Sequence, residues 1–521
     1  MKKIFKLLAV TAISLSIVSC GKDYLQTSPT SSTGSATIFE SADNIALAVN
    51  GMYRVMVQQY GYFGQGYNGE GTIKFYIGDF GGNNFNLSGS GNVALMSQNY
   101  HDNDNSTFIL YSWLYYYRLI SEANSIISGC DNPNLKGSKD QAAFYKAQAL
   151  TMRAYAFTML TQMFHRRWSD NMNSEARDGN GLVLRLEPTT SSMKLSSAED
   201  TYKQIYNDLD SAIVVLEKEY IKRDPLTQNY MINADVAYAV YARAAITRHD
   251  YETARKYAQK ASKNYTLMTN DDYLKGGWSK VNKEWIWSSY CSETQPLYYY
   301  SFFAYVGFNC KAAQVRNYPK CMSKHLYDQI PTTDIRRDLF LDPKDMKYSD
   351  VNGSAAKNSD LYNYARKIHP ELTEAVFTVA AYMNFKFASE SYSYGHLNHF
   401  RAAEMYLIEA ECDYFLKDED GARTLLNNLN RDSKRDPSYN CTASGEALLK
   451  EIKLYRGIEL WGEGFEWFDL KRWNDGISRK SFKEGGNWST TYAYDVTPDK
   501  YNGWTNVLPK REKDYNDAIG K

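Results

Sequence analysis

Apolar residues recur at helical spacing along much of the chain. Leu114, Leu119, Ala123 and Ile126 fall near one face and predict a helix over 111–128. Ala149, Arg153, Phe157 and Leu160 mark a second over 141–164. A third, over 197–219, opens on Ser-Ser-Ala-Glu-Asp, an N-terminal signature, and carries Ile205, Leu209, Ala212 and Leu216 inward. Leu448, Ile452, Tyr455 and Leu460 predict another over 445–462. The fold class expected is mainly α. Between the helices lie long irregular stretches, 60–100, 271–319 and 342–393, rich in Gly, Asn, Ser and aromatics. Loops that long within a folded chain usually carry function.

Residues 233–264 are the most regular. Tyr238, Tyr241, Ala242 and Ala245 share one face; after His249-Asp250, Ala254, Ala258 and Ala261 share the next. Small residues at facing positions let two antiparallel helices approach closely, an arrangement that resembles a tetratricopeptide repeat. A second copy fits 403–435, with Tyr406, Ala410, Ala422, Leu426 and Leu429 in the equivalent places and 417–421 as the turn. Two copies fall short of the three that a stacked solenoid needs.

The first residues read as an address. Lys2, Lys3 and Lys6 precede an apolar run, 7–18, too short for a span of about 20 residues. Cys20 follows directly, in Ile17-Val18-Ser19-Cys20, which resembles a bacterial lipobox; the cysteine would then be acylated and become the first mature residue. Residues 1–19 are thus expected to be a lipoprotein signal and 20–36 a lipidated tether rich in Ser, Thr and Gly. Residues 37–521 are expected to form one domain, with halves of about 37–230 and 231–521.

Composition narrows the function. The 60 basic and 60 acidic residues balance, and loss of the leader with its three lysines leaves a net charge of −3, against a nucleic-acid partner. The 44 tyrosines stand out; each has a flat apolar face and a hydroxyl, suited to a core or to a wet binding surface. Beyond Cys20, the cysteines at 130, 291, 310, 321, 412 and 441 show no C-x-x-C spacing. Buried free thiols are expected, with one bridge, such as Cys310–Cys321, left open among the 15 connectivities.

Residues 452–473, IKLYRGIELWGEGFEWFDLKRW, closely resemble the signature of the SusD/RagB family. The matching positions are Arg456, Glu459, Gly462, Glu463, Gly464, Trp467, Phe468, Asp469, Leu470, Arg472 and Trp473; Gly457 departs, where a charged residue is usual. Residues 401–411 (RAAEMYLIEAE), 148–163 (QALTMRAYAFTMLTQM), 113–124 and the closing Pro509, Glu512 and Asn516 resemble further family motifs in order. The resemblance implies a SusD-like fold, with tetratricopeptide-like helix pairs supporting long ligand-binding loops. It also implies a lipoprotein on the outer face of the outer membrane that captures a glycan and delivers it to a SusC-like TonB-dependent transporter. From the residues alone the signature is read as architecture: Arg456 and Glu459, three apart, can pair locally or cap neighbours.

Glycan capture needs aromatic faces for the C–H surface of a sugar and planar polar groups for its hydroxyls. One stretch, 78–100, supplies Asp79, Asn83, Asn84, Phe85 and Tyr100; another, 278–309, supplies Trp278, Tyr290, Tyr298, Tyr299 and Tyr300. Trp285-Ile286-Trp287 fits a buried strand as well as a ligand face. Other motifs carry less. Gly64-x-Gly66-x-x-Gly69 lacks the flanking strand and helix of a dinucleotide fingerprint. Asp102-Asn103-Asp104-Asn105 offers oxygens of the kind Ca²⁺ takes but no EF-hand glycine or distal glutamate, and reads as a helix-capping loop; a structural calcium ion is the one cofactor considered. Glu459, Glu463 and Glu466 lie in the signature and are not read as a glycosidase pair, and no zinc or Ser/Cys nucleophile motif appears. No enzyme is expected. The alternatives are a peptide-binding member of the family, a surface glycoside hydrolase or a purely structural transporter lid.

Overall fold

The computed structural model describes residues 35–64, 66–88, 102–169, 181–292, 302–372, 376–390 and 394–519. It is mainly helical. Helix α1 (Ala42–Val55) starts at Ser41, whose hydroxyl accepts the Asn44 N–H, and buries Ile45, Val49, Met52 and Tyr53. It packs on α2 (Thr107–Cys130) and α3 (Lys139–Phe164). Helix α4 (Ala198–Leu216), capped by Ser197, lies against α3. The long α3 is buried nearly all round, so its apolar pattern carries little amphipathic signal. Within it, Arg153 forks onto Asp208 of α4 at 2.7 and 2.8 Å and donates to the Asn124 amide oxygen of α2 at 2.8 Å, tying three helices together.

The two repeat-like segments form the expected helix pairs, α5 (Ala234–Thr247) with α6 (Tyr251–Ser262), and α7 (Ala402–Phe415) with α8 (Glu419–Asn427). Ala242, Ala254, Ala258, Ala261, Ala410, Ala422, Leu426 and Leu429 are fully buried. Both turns use the same device. His249 and Lys417 take a left-handed backbone (φ +60° and +67°), and the next residue, Asp250 or Asp418, caps the following helix. Helix α6 packs on α7, so the pairs are neighbours, and Arg243 of α5 reaches Glu404 of α7 at 2.7 and 2.8 Å.

Helix α7 faces two cores. Met405, Ile408 and Cys412 join the core of α1–α6; Ala403, Leu407 and Ala410 join a second one. That second core contains α9 (Gly445–Glu459) and, from short antiparallel strand pairs, Phe85, Leu87, Met322 and Leu397. The pairs are β1 (Phe85–Leu87) with β3 (Lys320–Met322), β2 (Trp285–Ser289) with β6 (Leu397–Arg401), β4 (Ser354–Ala356) with β5 (Thr378–Ala380), and β7 (Ile477–Ser478) with β8 (Asp495–Val496). Trp285-Ile286-Trp287 is a strand buried on both faces. The six cysteines of the described residues are free thiols, five of them buried.

Arg456 and Glu459 do not pair with each other. Arg456 turns to Asp469 of α10 (Glu466–Trp473) at 2.6 Å, and Asp469 also holds Arg472, which forks onto Glu411 of α7. Glu459 meets Arg401 at 2.7 Å and Arg336 at 2.9 Å. Arg401 further binds Glu463 and Glu284, at 2.8 and 2.6 Å. Burial opposes ionisation of Glu459, but the surrounding arginines Arg401, Arg435 and Arg336 hold its carboxyl well below the usual range. The signature is thus an ion network that joins α7, α9, α10, β6 and Glu284, the residue before β2.

Candidate functional site

The sequence-predicted ligand residues separate into three groups. Tyr100, Tyr298, Tyr299 and Tyr300, like Cys20, lie outside the described residues. A second group is built into the scaffold. Asp79 is buried and accepts the Gly464 N–H at 2.8 Å; burial, then the neighbouring Glu466, push its carboxyl well above its ordinary value. Phe85 is buried and stacks on Trp461, ring centres 4.8 Å apart. Trp278 is buried, donates its indole N–H to the Tyr273 carbonyl, and carries the Lys386 ammonium 4.2 Å above its ring.

Asn83 and Asn84 reach the wall of a cleft, but their amides are largely engaged. Glu466 accepts the Asn83 N–H at 2.8 Å, the Asn84 N–H at 3.0 Å and the Asn84 side-chain amide at 2.7 Å. Burial pushes the Glu466 carboxyl up to about 7, against the pull of the Asn84 and Asn83 N–H groups. Glu466→Ala is expected to strand these donors and destabilise the fold by about 1–3 kcal/mol, as read from a denaturant midpoint.

Tyr290 differs from all of these. It follows the last residue of β2 and is 49% exposed, whereas the whole strand before it is buried. Its ring belongs to a row: it lies 5.3 Å from the His396 ring and 5.9 Å from the Tyr230 ring, which in turn lies 5.9 Å from Tyr53. The row is held from behind. Trp287 donates its indole N–H to the Tyr230 carbonyl at 2.9 Å, and the Tyr53 hydroxyl accepts the Ile232 N–H at 3.0 Å. Rings fixed through their backbone and hydroxyl neighbours lose little entropy on meeting a ligand. In front is a cleft of about 390 Å³ lined by Tyr53, Tyr230 and Tyr290 with exposed Asn50, Arg54 and Thr227. That volume falls within the roughly 300–1,000 Å³ of small-molecule clefts.

Under the row runs a buried polar chain. The Ser289 hydroxyl is 2.5 Å from His399 Nε2, His399 Nδ1 is 3.2 Å from Glu70, and the Tyr155 hydroxyl donates to Glu70. Burial lowers the His399 pKa; burial also opposes ionisation of Glu70, but His399, Lys74 and Tyr155 outweigh it and keep the carboxyl below its ordinary value. The order of groups is that of a serine–histidine–carboxylate relay. Ser289 lines the cleft beside Tyr290 but is only 3% exposed, and the chain ties β2 to β6 and α3. Neither His399 nor Glu70 was legible as a partner of Ser289, because the three are far apart in sequence. Glu459 and Glu463 are also buried, against arginines, and Glu466 is half-buried. Asp104 of the candidate calcium loop pairs with Lys513 at 2.6 Å.

The SusD family model matches residues 245–519, more than half the chain and the whole signature network. The chain belongs to the SusD family. A second family model, described as starch-binding associating with outer membrane, matches residues 23–246. Solved structures show the same fold. A SusD-like carbohydrate binding protein from Bacteroides vulgatus is 21% identical with a TM-score of 0.71, covering 92% of this chain and 97% of that one. SusD superfamily proteins from Bacteroides thetaiotaomicron (20%, TM-score 0.70, 92% and 99% covered) and Bacteroides fragilis (18%, 0.68, 93% and 100%) are similar. No curated protein matches the chain. Among the described residues no helix is long and apolar enough to cross a membrane.

Proposed function

We propose that this SusD-family protein is a lipid-anchored, cell-surface glycan-binding protein that captures an oligosaccharide and passes it to a SusC-like TonB-dependent transporter. The observation that carries the reading is the Tyr53–Tyr230–Tyr290 row, with its outermost ring half exposed over a cleft rimmed by Asn50, Arg54 and Thr227. Tyr290 supplies a flat face for the C–H side of a sugar ring; the amide, guanidinium and hydroxyl reach its hydroxyls. The starch-binding description of the family model and the carbohydrate-binding relative support the same class of ligand. No metal or catalytic group is needed for capture, and the protein acts as a binder rather than an enzyme.

Two experiments test this. Protein beginning after Cys20 is run through native gels containing plant, host and microbial polysaccharides. One class should retard it, and Tyr290→Ala should weaken that retardation about tenfold, which is about 1.4 kcal/mol. No retardation by any class, or binding confined to peptides, would overturn glycan capture. For the anchor, cells fed radiolabelled palmitate should label the wild-type chain and not Cys20→Ala; equal labelling would remove the lipid from the account.

A further inference from the structure

A second cleft, of about 670 Å³, shares no lining residue with the Tyr290 row. One wall is a single face of α9: Lys450, Lys453, Leu454 and Gly457 stand at i, i+3, i+4 and i+7. The rest of the lining comes from Asn83 and Asn84 and from segments 323–329 and 478–488, which bring His325 and Lys480.

Gly457 is the informative residue. A glycine inside a helix costs about 0.5–1 kcal/mol relative to alanine. Nothing in the backbone asks for it here: Gly457 is not among the positive-φ glycines, and an added Cβ would lie 3.9 Å from its nearest neighbours, Asn84 and Leu326. Gly78 and Gly464, in contrast, are each pressed against another segment. The absent side chain at 457 leaves that part of the cleft open.

The charges around that space do not cancel. Asp328 is paired with Lys324; Glu484 accepts the Ser481 hydroxyl and N–H at 2.7 and 2.9 Å, which with nearby Lys480 hold its carboxyl below the ordinary value and keep it charged. Lys453 is bridged to Asp475 at 2.7 Å. Lys450 and Lys480 are exposed and form no salt bridge among the described residues. Lys450 and Lys480 therefore bring two positive charges to a polar trough against the one unbridged carboxylate of Glu484, an excess of one.

We propose that the cleft over Gly457 is a second saccharide site, selective for an acidic sugar whose carboxylate or sulfate oxygens lie between Lys450 and Lys480. The Tyr290 cleft binds by ring stacking; this one binds by charge and hydrogen bonds, since its tryptophan, Trp488, is buried. The site stands whether or not the Tyr290 cleft binds glycan.

The test is calorimetric titration of the full mature chain with a short oligogalacturonide, a sulfated galactan oligosaccharide and a neutral galactan oligosaccharide. One or both acidic probes should bind, which separates carboxylate from sulfate, and binding should weaken at least tenfold between about 0.1 M and about 1 M salt. Gly457→Met fills the trough without altering charge. It should unfold no earlier than wild type and bind the acidic probe at least tenfold more weakly. Lys450→Gln combined with Lys480→Gln should do the same while leaving any binding that depends on Tyr290 unchanged. The proposal is overturned if acidic probes bind no better than the neutral one. It is equally overturned if folded Gly457→Met binds as wild type, which would show diffuse attraction to surface lysines, or if the double lysine variant retains binding.

Discussion

Arg401→Met is expected to lower the unfolding free energy by about 3–5 kcal/mol, the usual loss when one partner of a buried ion network is removed. Arg401 is almost fully buried and meets three carboxylates, Glu284 at 2.6 Å, Glu459 at 2.7 Å and Glu463 at 2.8 Å. It also donates to the Glu459 backbone carbonyl at 2.9 Å. Arg336 and Lys386 cannot take over, because Arg336 is forked onto Asp334 and Lys386 onto carbonyls of residues 459 and 461 as well as Glu463; Arg435 lies 3.6 Å from Glu284 and 3.9 Å from Glu459 but forms no bridge to Glu463. Arg401→Lys keeps the charge but loses the planar fork, and should fall between wild type and Arg401→Met. Denaturant unfolding followed by circular dichroism checks the series; a loss under about 1 kcal/mol for Arg401→Met would mean that the network is not what holds the signature together.

Gly78→Ala is expected to cost about 2–3 kcal/mol through backbone collision. A Cβ at Gly78 would fall 2.4–2.5 Å from the oxygen, carbonyl carbon and Cα of Gly464. Neither segment has a flexible side chain there to yield. Gly464 is itself held at φ +88°, and its own added Cβ would meet Lys74 at 2.7 Å. Separating the two segments would also break the bond from the Gly464 N–H to Asp79. Gly457→Ala is the control: the position is helical and open, so alanine should be neutral or stabilising by up to about 1 kcal/mol. Thermal melts of the two variants should therefore move apart; equal melting temperatures would contradict the close approach.

The helix pairs were legible because small residues at facing positions leave a fixed spacing in the sequence, and the caps Asp250 and Asp418 mark the second helix of each pair. Helix α1 also had a signal, Ser41 followed by Ile45, Val49 and Met52, but its alanines and asparagines diluted the stripe. The signature's wiring was not legible. A spacing of three makes Arg456 and Glu459 neighbours on a helix, but buried partners from α10 and β6 offer each a better-desolvated fork. The aromatic stretches left core and surface undivided for a related reason. Strand β2 is buried on both faces, so Trp285 and Trp287 give no alternation to separate core from surface, and Trp278 serves as a seat for Lys386. Nor could composition show that Asn83 and Asn84 are anchored by Glu466, nearly four hundred residues away. Tyr290 stood out only once the strand before it was seen to be wholly buried and its own ring half exposed.

The function proposed for this protein is capture of a glycan on the face of Tyr290. The most direct measurement is isothermal titration of the mature chain with a short oligosaccharide of whichever class retards it in gels, comparing wild type, Tyr290→Ala and Tyr290→Trp. The structure predicts about tenfold weaker binding for alanine and undiminished binding for tryptophan, whose larger face preserves stacking. Equal affinities for wild type and Tyr290→Ala would contradict it and move the capturing surface away from this cleft.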